Sequence, residues 1–531
     1  MKRVFFLAVA MAAVIIFGGC DKDKDEKEEK KAPTLSISPQ QTEVKFKADG
    51  TADGNATFTV TTNVAEWKAE SDQPWVTITP SATGFTLSAA ANTATTAPAA
   101  AKVTVSAGAA MSIELVVSQA AAGPSLSLTP SQQTEVKFKA DGTTDGNATF
   151  TVTTNVAEWK AESDQPWVTV TPSATGFTLS AAANTAITAP AAAKVTVSAG
   201  AATPVVIAVT QADLFPDANF SAYVSQNFDT DNDGILSTAE INAVKIIRVS
   251  NLNITTVEGI EVFTALTELV CCDNPLTMLD VSQNTALTVL GCYRNGLSTL
   301  DVSQNTALSV LYCYANQLTT LDVSQNAALT ELICQDNQLT TLDVSQNTAL
   351  TYLSCSSNQL TTLDVNRALT VFSCSNNQLT TLDISQNAAL TELICRDNQL
   401  TTLDVSQNTA LTRLHCNNNQ LTALDVSQNT VLTYLYCNDN QLTTLDVSQN
   451  SALDWLRCNN NQLTALDVSQ NTVLTELVCY DNPLTALDVS QNTALTELSC
   501  SNNQLTALDV SHNPVLTYLY CNDNQLTTLD V

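Results

Sequence analysis

The sequence predicts a mainly β protein built as two small antiparallel sandwiches, a short helical segment and a long solenoid of parallel strands. Three observations predict it. Pro33 to Ala121 returns as Pro124 to Ala212, with Trp67, Trp75, Phe85 and Gln119 reappearing 92 residues on as Trp159, Trp167, Phe177 and Gln211. Asp229 to Glu240 spaces its acidic residues as an oxygen-ligand loop requires. From Leu266 a 21-residue unit repeats to the end of the sequence, and a fixed period of that length marks stacked coils.

Length and charge set the outer bounds. A chain of 531 residues is too long for one ordinary domain. Lys and Arg number 22 against 52 Asp and Glu, so the formal charge is -30. Such a chain repels phosphate backbones and anionic lipid heads, which argues against nucleic-acid binding and polybasic membrane docking. His415 and His512 are the only histidines, leaving little material for imidazole chemistry. Of the 15 cysteines, 13 recur from Cys271 to Cys521 at 21-residue steps with a single 19-residue step. That regularity marks a position within a coil rather than a set of disulfide pairs.

Residues 1–19 carry Lys2 and Arg3, an apolar run from Val4 to Phe17, and Gly18-Gly19 before Cys20. A basic head, a short apolar centre and small residues before a cleavage point describe a signal peptide, too short for a stable membrane span. Gly18-Gly19-Cys20 resembles the bacterial lipoprotein box, with Phe17 replacing its usual leucine; the resemblance implies lipidation of Cys20. The alternative is an ordinary secretory signal. Residues 20–33 contain the dense charge run Asp21 to Lys31, which can bury nothing and reads as a solvated tether. Acidic residues so close to the cysteine resemble the export signal of Bacteroidota surface lipoproteins. The resemblance implies an outer-membrane, lipid-anchored protein facing the cell exterior, with membrane contact by the anchor alone.

Residues 34–122 and 123–212 are the two sandwiches. Glu43-Val44-Lys45-Phe46-Lys47 and Ala56-Thr57-Phe58-Thr59-Val60-Thr61 alternate with the two-residue period of half-buried strands. Asp49-Gly50 and Asp53-Gly54 punctuate them as turns. Several short strands in about 90 residues indicate an immunoglobulin-like β-sandwich. The tryptophan pair, Asn92 and Val116-Val117-Ser118-Gln119 resemble the BACON family, although Ala101-Lys102 stands where that family often has arginine. The resemblance implies glycan or mucin contact. Trp75 and Trp167 are expected in the core; Trp67 and Trp159 stay open between core and sugar platform. The plain alternative is that both domains are stalks.

Residues 213–260 form an EF-hand-like helical cap. Asp229, Asp231 and Asp233, the Ile235 carbonyl and a two-oxygen Glu240 supply the oxygens calcium demands, and Gly234 permits the sharp turn. Asp217–Phe228 and Ser237–Ile247 read as helices capped by Asp217 and Ser237. One loop alone suits a single structural calcium ion better than a switch, and the alternative is a loop kept for its shape. The helix pair is expected to cap the apolar end of the solenoid.

Residues 261–531 are read as a right-handed leucine-rich-repeat solenoid. One copy, Leu329 to Ala349, begins Leu329-x-x-Leu332-x-Cys334-x-x-Asn337-x-Leu339, the leucine-rich-repeat signature with cysteine in place of one leucine. It resembles internalin-like and short Bacteroidota repeats. A strand is expected at Leu332 to Cys334, and a second strand or tight turn near Leu342 to Val344. Coils that cannot bury their leucines alone acquire a continuous core by stacking. The cysteines should form a column of buried, reduced thiols, and Asn337, Asn347 and their equivalents should ladder to backbone groups at the bends. Asp280, Asp301, Asp322, Asp343 and their successors to Asp530 form an acidic row, solvated or else collecting calcium. Two residues are missing at Asp364-Val365-Asn366-Arg367, where a kink is expected. The last coil has no cap in the sequence, so it frays or is covered by another subunit or segment.

The second half of the coil hardly varies, whereas the outward positions of the strand do. On three successive coils these hold Arg413 and His415, Tyr434 and Tyr436, Trp455 and Arg457, residue types that dominate binding hot spots. Tyr352, Arg396, Tyr518 and Tyr520 lie further along the same face. Random surface drift is the alternative. No nucleophile with a neighbouring base and no phosphate loop is present, so no enzyme is expected. The sequence therefore supports a cell-surface protein that binds a protein or host ligand through the repeat face. Carbohydrate or mucin capture by the tandem sandwiches is the runner-up.

Overall fold

The computed structural model describes residues 30–365 and 367–531. The leader, Cys20 and most of the charged tether lie outside the described residues, as does Asn366. No described helix is long and apolar enough to cross a membrane.

Each sandwich is a pair of four-stranded sheets sharing one core. In the first, strands 35–38, 57–62, 84–89 and 76–81 form one sheet; strands 43–46, 113–119, 101–106 and 68–71 form the other. Alternate residues point inward, so Phe58, Phe85 and Leu87 from one sheet meet Val44, Val103, Leu115 and Val117 from the other. The second sandwich repeats this arrangement strand for strand. Not every pairing is antiparallel, as the alternation suggested: Glu43–Phe46 runs parallel to Val116–Gln119. The chain steps from strand 35–38 straight into the opposite sheet, where the neighbour of 43–46 is the distant closing strand and no hairpin dictates direction.

The four tryptophans sit at the core edge, packed against it but half-buried. Trp75 and Trp167, expected inside, differ from that expectation for a polar reason. Each indole N–H donates to a loop carbonyl at the sandwich rim, Ala99 and Ala191, at 3.1 Å, and that partner holds the ring at the margin.

Helix α1 (Ala218–Phe228) and helix α2 (Thr238–Ala243) follow. Both expected caps are present: Asp217 accepts from the N–H groups of Asn219 and Phe220, and Ser237 forms a capping box with Glu240. The second helix is shorter than its periodicity suggested, because Ile246–Arg248 leaves it to become the first strand of the solenoid sheet. Phe220 and Val224 of α1 bury themselves in the solenoid core with Phe215 and Phe263. The other Asp217 oxygen holds Thr255 at 2.8 Å, so one carboxylate starts the helix and binds it to the first coil.

The solenoid sheet has 14 parallel strands, from Ile246–Arg248 to Tyr518–Tyr520, each three residues long and in unbroken register. The middle residue of each strand faces inward and is leucine except at Ile247 and Phe372. Cysteine follows in the same column, and Cys271 to Cys500 are buried and unpaired. After the cysteine the chain bends through a left-handed residue, for example Asp336 at φ 55° or Asn418 at 52°. Asp and Asn tolerate this region because their short side chains bond locally.

The back of the coil is a strand only at Ala507–Asp509 and Thr528–Asp530. Elsewhere it turns; row aspartates accept the N–H two residues on, as Asp322 does from Ser324 at 2.9 Å, and Asp509 keeps the same bond at 2.8 Å within its strand. The two-residue deletion bends no strand: Tyr352–Ser354 pairs with Val371–Ser373 in normal register. The shortfall falls in the back turn, where Val365 is only partly buried while Val344 is fully so.

Candidate binding face and cation loop

A three-residue strand with its centre buried presents two outward residues per coil. Parallel register then lines them up in two columns. Arg413, Tyr434 and Trp455 pair along one, and His415, Tyr436 and Arg457 along the other. All six proposed ligand-binding residues are therefore brought together on neighbouring coils.

Their side chains interlock. The Arg413 guanidinium lies 5.1 Å from the Tyr434 ring centroid, and Tyr434 meets Trp455 edge-on at 5.4 Å. His415 stacks on Tyr436 at 4.3 Å, and Arg457 sits 4.9 Å from the same Tyr436 ring. Glutamates close both ends. Glu392 is 3.7 Å from Arg413, and Glu476, nearly buried, takes a 2.6 Å hydrogen bond from Arg457. Burial, then the charges of Arg413, Arg396 and Arg457, push the His415 pKa below its usual value. The ring is therefore neutral at pH 7, as stacking against tyrosine favours. Cation–π and aromatic pairs of this kind hold long side chains in place before any partner arrives.

Sequence reasoning missed Glu392 and Glu476, as well as a second aromatic pair. Tyr293 and Tyr314 stack at 4.3 Å with rings 7° apart. They stand one place after the cysteine, and their 21-residue spacing was the available signal. Arg396 occupies that same column and is held by Asp397 at 2.8 Å. Tyr518 and Tyr520 are on the sheet and exposed.

Beneath the face, two asparagine columns behave differently. Asn337 donates to the carbonyls of Cys313, Cys334 and Gln335, and each such oxygen accepts a leucine N–H from the preceding coil, as Asn358 does from Leu339 at 2.9 Å. Asn347 belongs to the column on the back turn, where Asn429 gives its amide protons to the carbonyls of Val405 and Asn408 while the Asn429 side-chain oxygen is buried without a partner.

At the cation loop, Asp229, Asp231 and Asp233 present oxygens within 4.8 Å of one another. Gly234 at φ 80° and Asn232 at φ 57° make the tight turn, as the motif requires. Glu240 does not join the aspartates. One oxygen accepts from the Thr230 N–H and hydroxyl, the other from those of Ser237, and these bonds lower its pKa to about 2. The Ile235 N–H is held by Asp233 at 2.7 Å, and Ile235 is exposed. The aspartates therefore fit a hard cation as they stand, whereas Glu240 would have to exchange Thr230 and Ser237 for it. The acidic row is exposed, and hydrogen bonds from Ser324, Ser345 and Ser427 hold Asp322, Asp343 and Asp425 below the usual carboxylate pKa.

Each sandwich has an open cleft beside its half-buried tryptophan. One, of about 590 Å³, is lined by Trp67, Glu66, Lys68 and Pro80; the other, of about 470 Å³, by Trp159, Glu158, Lys160 and Pro172.

The family described as Viral BACON domain matches residues 34–122 and 125–212, and Leucine Rich repeats (2 copies) matches 493–531. Internalin J of Listeria monocytogenes serotype 4b (strain F2365) is 40% identical over 72 residues, which are 14% of this chain and 8% of that relative. The chain thus spans a small fraction of that curated relative's length. A solved functional domain of InlJ from Listeria monocytogenes, which includes a cysteine ladder, superposes with TM-score 0.58 and 44% identity, covering 59% of this chain and 71% of that one. A leucine-rich-repeat protein of Leptospira interrogans gives TM-score 0.51 and 28% identity, covering 58% and 88% respectively.

Proposed function

We propose that this chain is a surface-displayed binding protein, a reading supported by two segments that match the viral BACON domain and by a solenoid similar to internalin-like leucine-rich-repeat proteins. Its solenoid takes a protein or host ligand on the coils of Arg413 to Arg457, in an adhesion or interaction role. One observation carries the reading: six side chains from three coils are locked to one another by ring and guanidinium contacts while still facing outward. A rigid aromatic and arginine patch gains affinity because little side-chain freedom remains to be lost on binding. In this reading the immunoglobulin-like sandwiches are stalks, and a lipid on Cys20 anchors the chain to the outer membrane with the solenoid facing outward. One calcium ion held by the 229–240 loop serves a structural role. Neither nucleic acid nor catalysis enters this reading.

The test is adhesion of the full chain to host cells, set against the triple variant Tyr434→Ala, Trp455→Ala and Arg457→Ala. Capture should fall to background; undiminished capture by a folded variant rejects the patch. A second reading, glycan or mucin capture, is favoured by the matching tryptophan clefts on both sandwiches. On a glycan array, sugar binding abolished by Trp67→Ala with Trp159→Ala would promote it over the first.

A further inference from the structure

The two sandwiches are near-copies, so the places where they differ are informative. The loop after the sixth strand of each reaches the next domain. In the first sandwich it does so lightly: the Thr93 carbonyl accepts a bond from the half-buried Asn155 side chain at 3.1 Å, and Thr95 is exposed. In the second the same loop is built into the cation loop. The Ile187 N–H donates to the Gly234 carbonyl at 3.0 Å, and the Leu236 N–H to the Thr185 carbonyl at 3.3 Å, a short antiparallel pairing centred on Ala186 and Ile235.

Two sequence changes accompany this contact. Ile187 stands where the first sandwich has Thr95, and it is buried in the cap and solenoid core rather than in its own sandwich. Asp213 stands where the first has Ala121, and its carboxylate takes the Ala189 N–H at 2.5 Å. An apolar side chain and a new carboxylate have thus been placed at a loop that meets the cap.

The pairing residues are also the metal loop's own backbone. Asp229 accepts from the N–H groups of Asp233 and Gly234, and Asp233 accepts from that of Ile235. Gly234 and Leu236 then pass directly to Thr185 and Ile187. Resting on the reading of 229–240 as a cation loop, we propose that residues 185–187 supply the partner strand a solitary loop lacks. A divalent cation on Asp229, Asp231 and Asp233 then stiffens the joint between the sandwich pair and the solenoid. Binding the ion offsets repulsion among three carboxylates and fixes the backbone whose other side holds the sandwich. The first joint, without these features, stays the looser one.

The test is amide hydrogen exchange on the full chain with calcium chloride or with chelator, alongside calorimetric titration of calcium. Exchange at Ile187 and Leu236 should slow about tenfold with calcium. In Ile187→Thr, which restores the first sandwich's residue, calcium should still release its binding heat but no longer slow Leu236. Calcium heat without any change at these amides overturns the joint and leaves the cation reading standing. Absence of both heat and protection overturns the two together. Full protection in Ile187→Thr overturns the part assigned to that side chain.

Discussion

Replacing Asn440 by alanine should cost clearly more than replacing Asn429, although both are buried asparagines on adjacent parts of one coil. Asn440 accepts the Leu421 N–H at 3.0 Å and donates to the carbonyls of Cys416, Cys437 and Asn438 at 3.1 to 3.2 Å. The Cys416 and Cys437 carbonyls each keep a second donor, from Asn419 and Asn461. Alanine therefore orphans one buried N–H completely and takes one of two donors from three carbonyls, that of Asn438 keeping the Asn418 N–H. A fully unsatisfied buried donor costs about 1–3 kcal/mol, and each weakened carbonyl some fraction of a net hydrogen bond, for a total of about 2–4 kcal/mol. Asn429 gives up less. Its two acceptors, Val405 and Asn408, retain the backbone N–H groups of Asn408 and Leu411, and its own oxygen has no partner to lose. Its removal should cost roughly 0–2 kcal/mol, mostly from the space left behind. Urea unfolding followed by circular dichroism ranks the two, and exchange at the Leu421 amide localises the loss, since repeat arrays open locally. If Asn429→Ala proves equal to or worse than Asn440→Ala, counting donors and acceptors does not govern these ladders.

Two further outcomes follow from burial. Native protein treated with a thiol-specific disulfide reagent should react first at Cys521, the half-buried member of the column, while Cys416, pushed up to about 12 by burial, reacts only after unfolding; uniform reactivity would refute the dry column. His415 is held below its usual pKa by burial and by nearby arginines, so its contribution to stability is present above about pH 6.5 and is lost as pH falls through its folded value. Thermal melts from pH 7.5 to 4.5 should show a decline that His415→Phe removes; an identical decline in both proteins would exclude the histidine as its source.

What was legible in the sequence was whatever repeats. Cysteine, leucine and asparagine recur because each coil must place the same atom against its neighbour, and a period shows that directly. The six face residues were legible as variation against an invariant background, and strand register then put them together. Side-chain directions were not legible. That Glu476 would turn back to Arg457, or that Glu240 would close onto Thr230 and Ser237 rather than face the aspartates, depends on local competition among donors. Helix α2 was overextended because Ile241 to Ile247 is apolar enough to continue it, yet the uncovered edge of the sheet takes Ile246–Arg248 as a strand. Trp75 and Trp167 were placed too deep because hydrophobicity outweighed the indole's need for an acceptor.

The two kinds of position also explain how such a protein can change its target without losing its fold. Every coil spends its inward leucines, its cysteine and two asparagines on contacts with the coils before and after it. Those positions are coupled and cannot drift singly. The two outward strand residues contact other residues of the outer face, along a column or across it as Arg457 does with Glu476, and exchanging them leaves the Leu421-to-Asn440 type of bond untouched. Stability and the proposed recognition therefore fall to different residues of each coil. Interlocking adds one restriction. Because Tyr436 is packed by both His415 and Arg457, a change at any of the three disturbs the others, so the patch should alter in blocks of coils rather than residue by residue. Double-mutant cycles across His415, Tyr436 and Arg457 should then give coupling of about 0.5 kcal/mol or more, and strict additivity would dissolve the patch into independent surface residues.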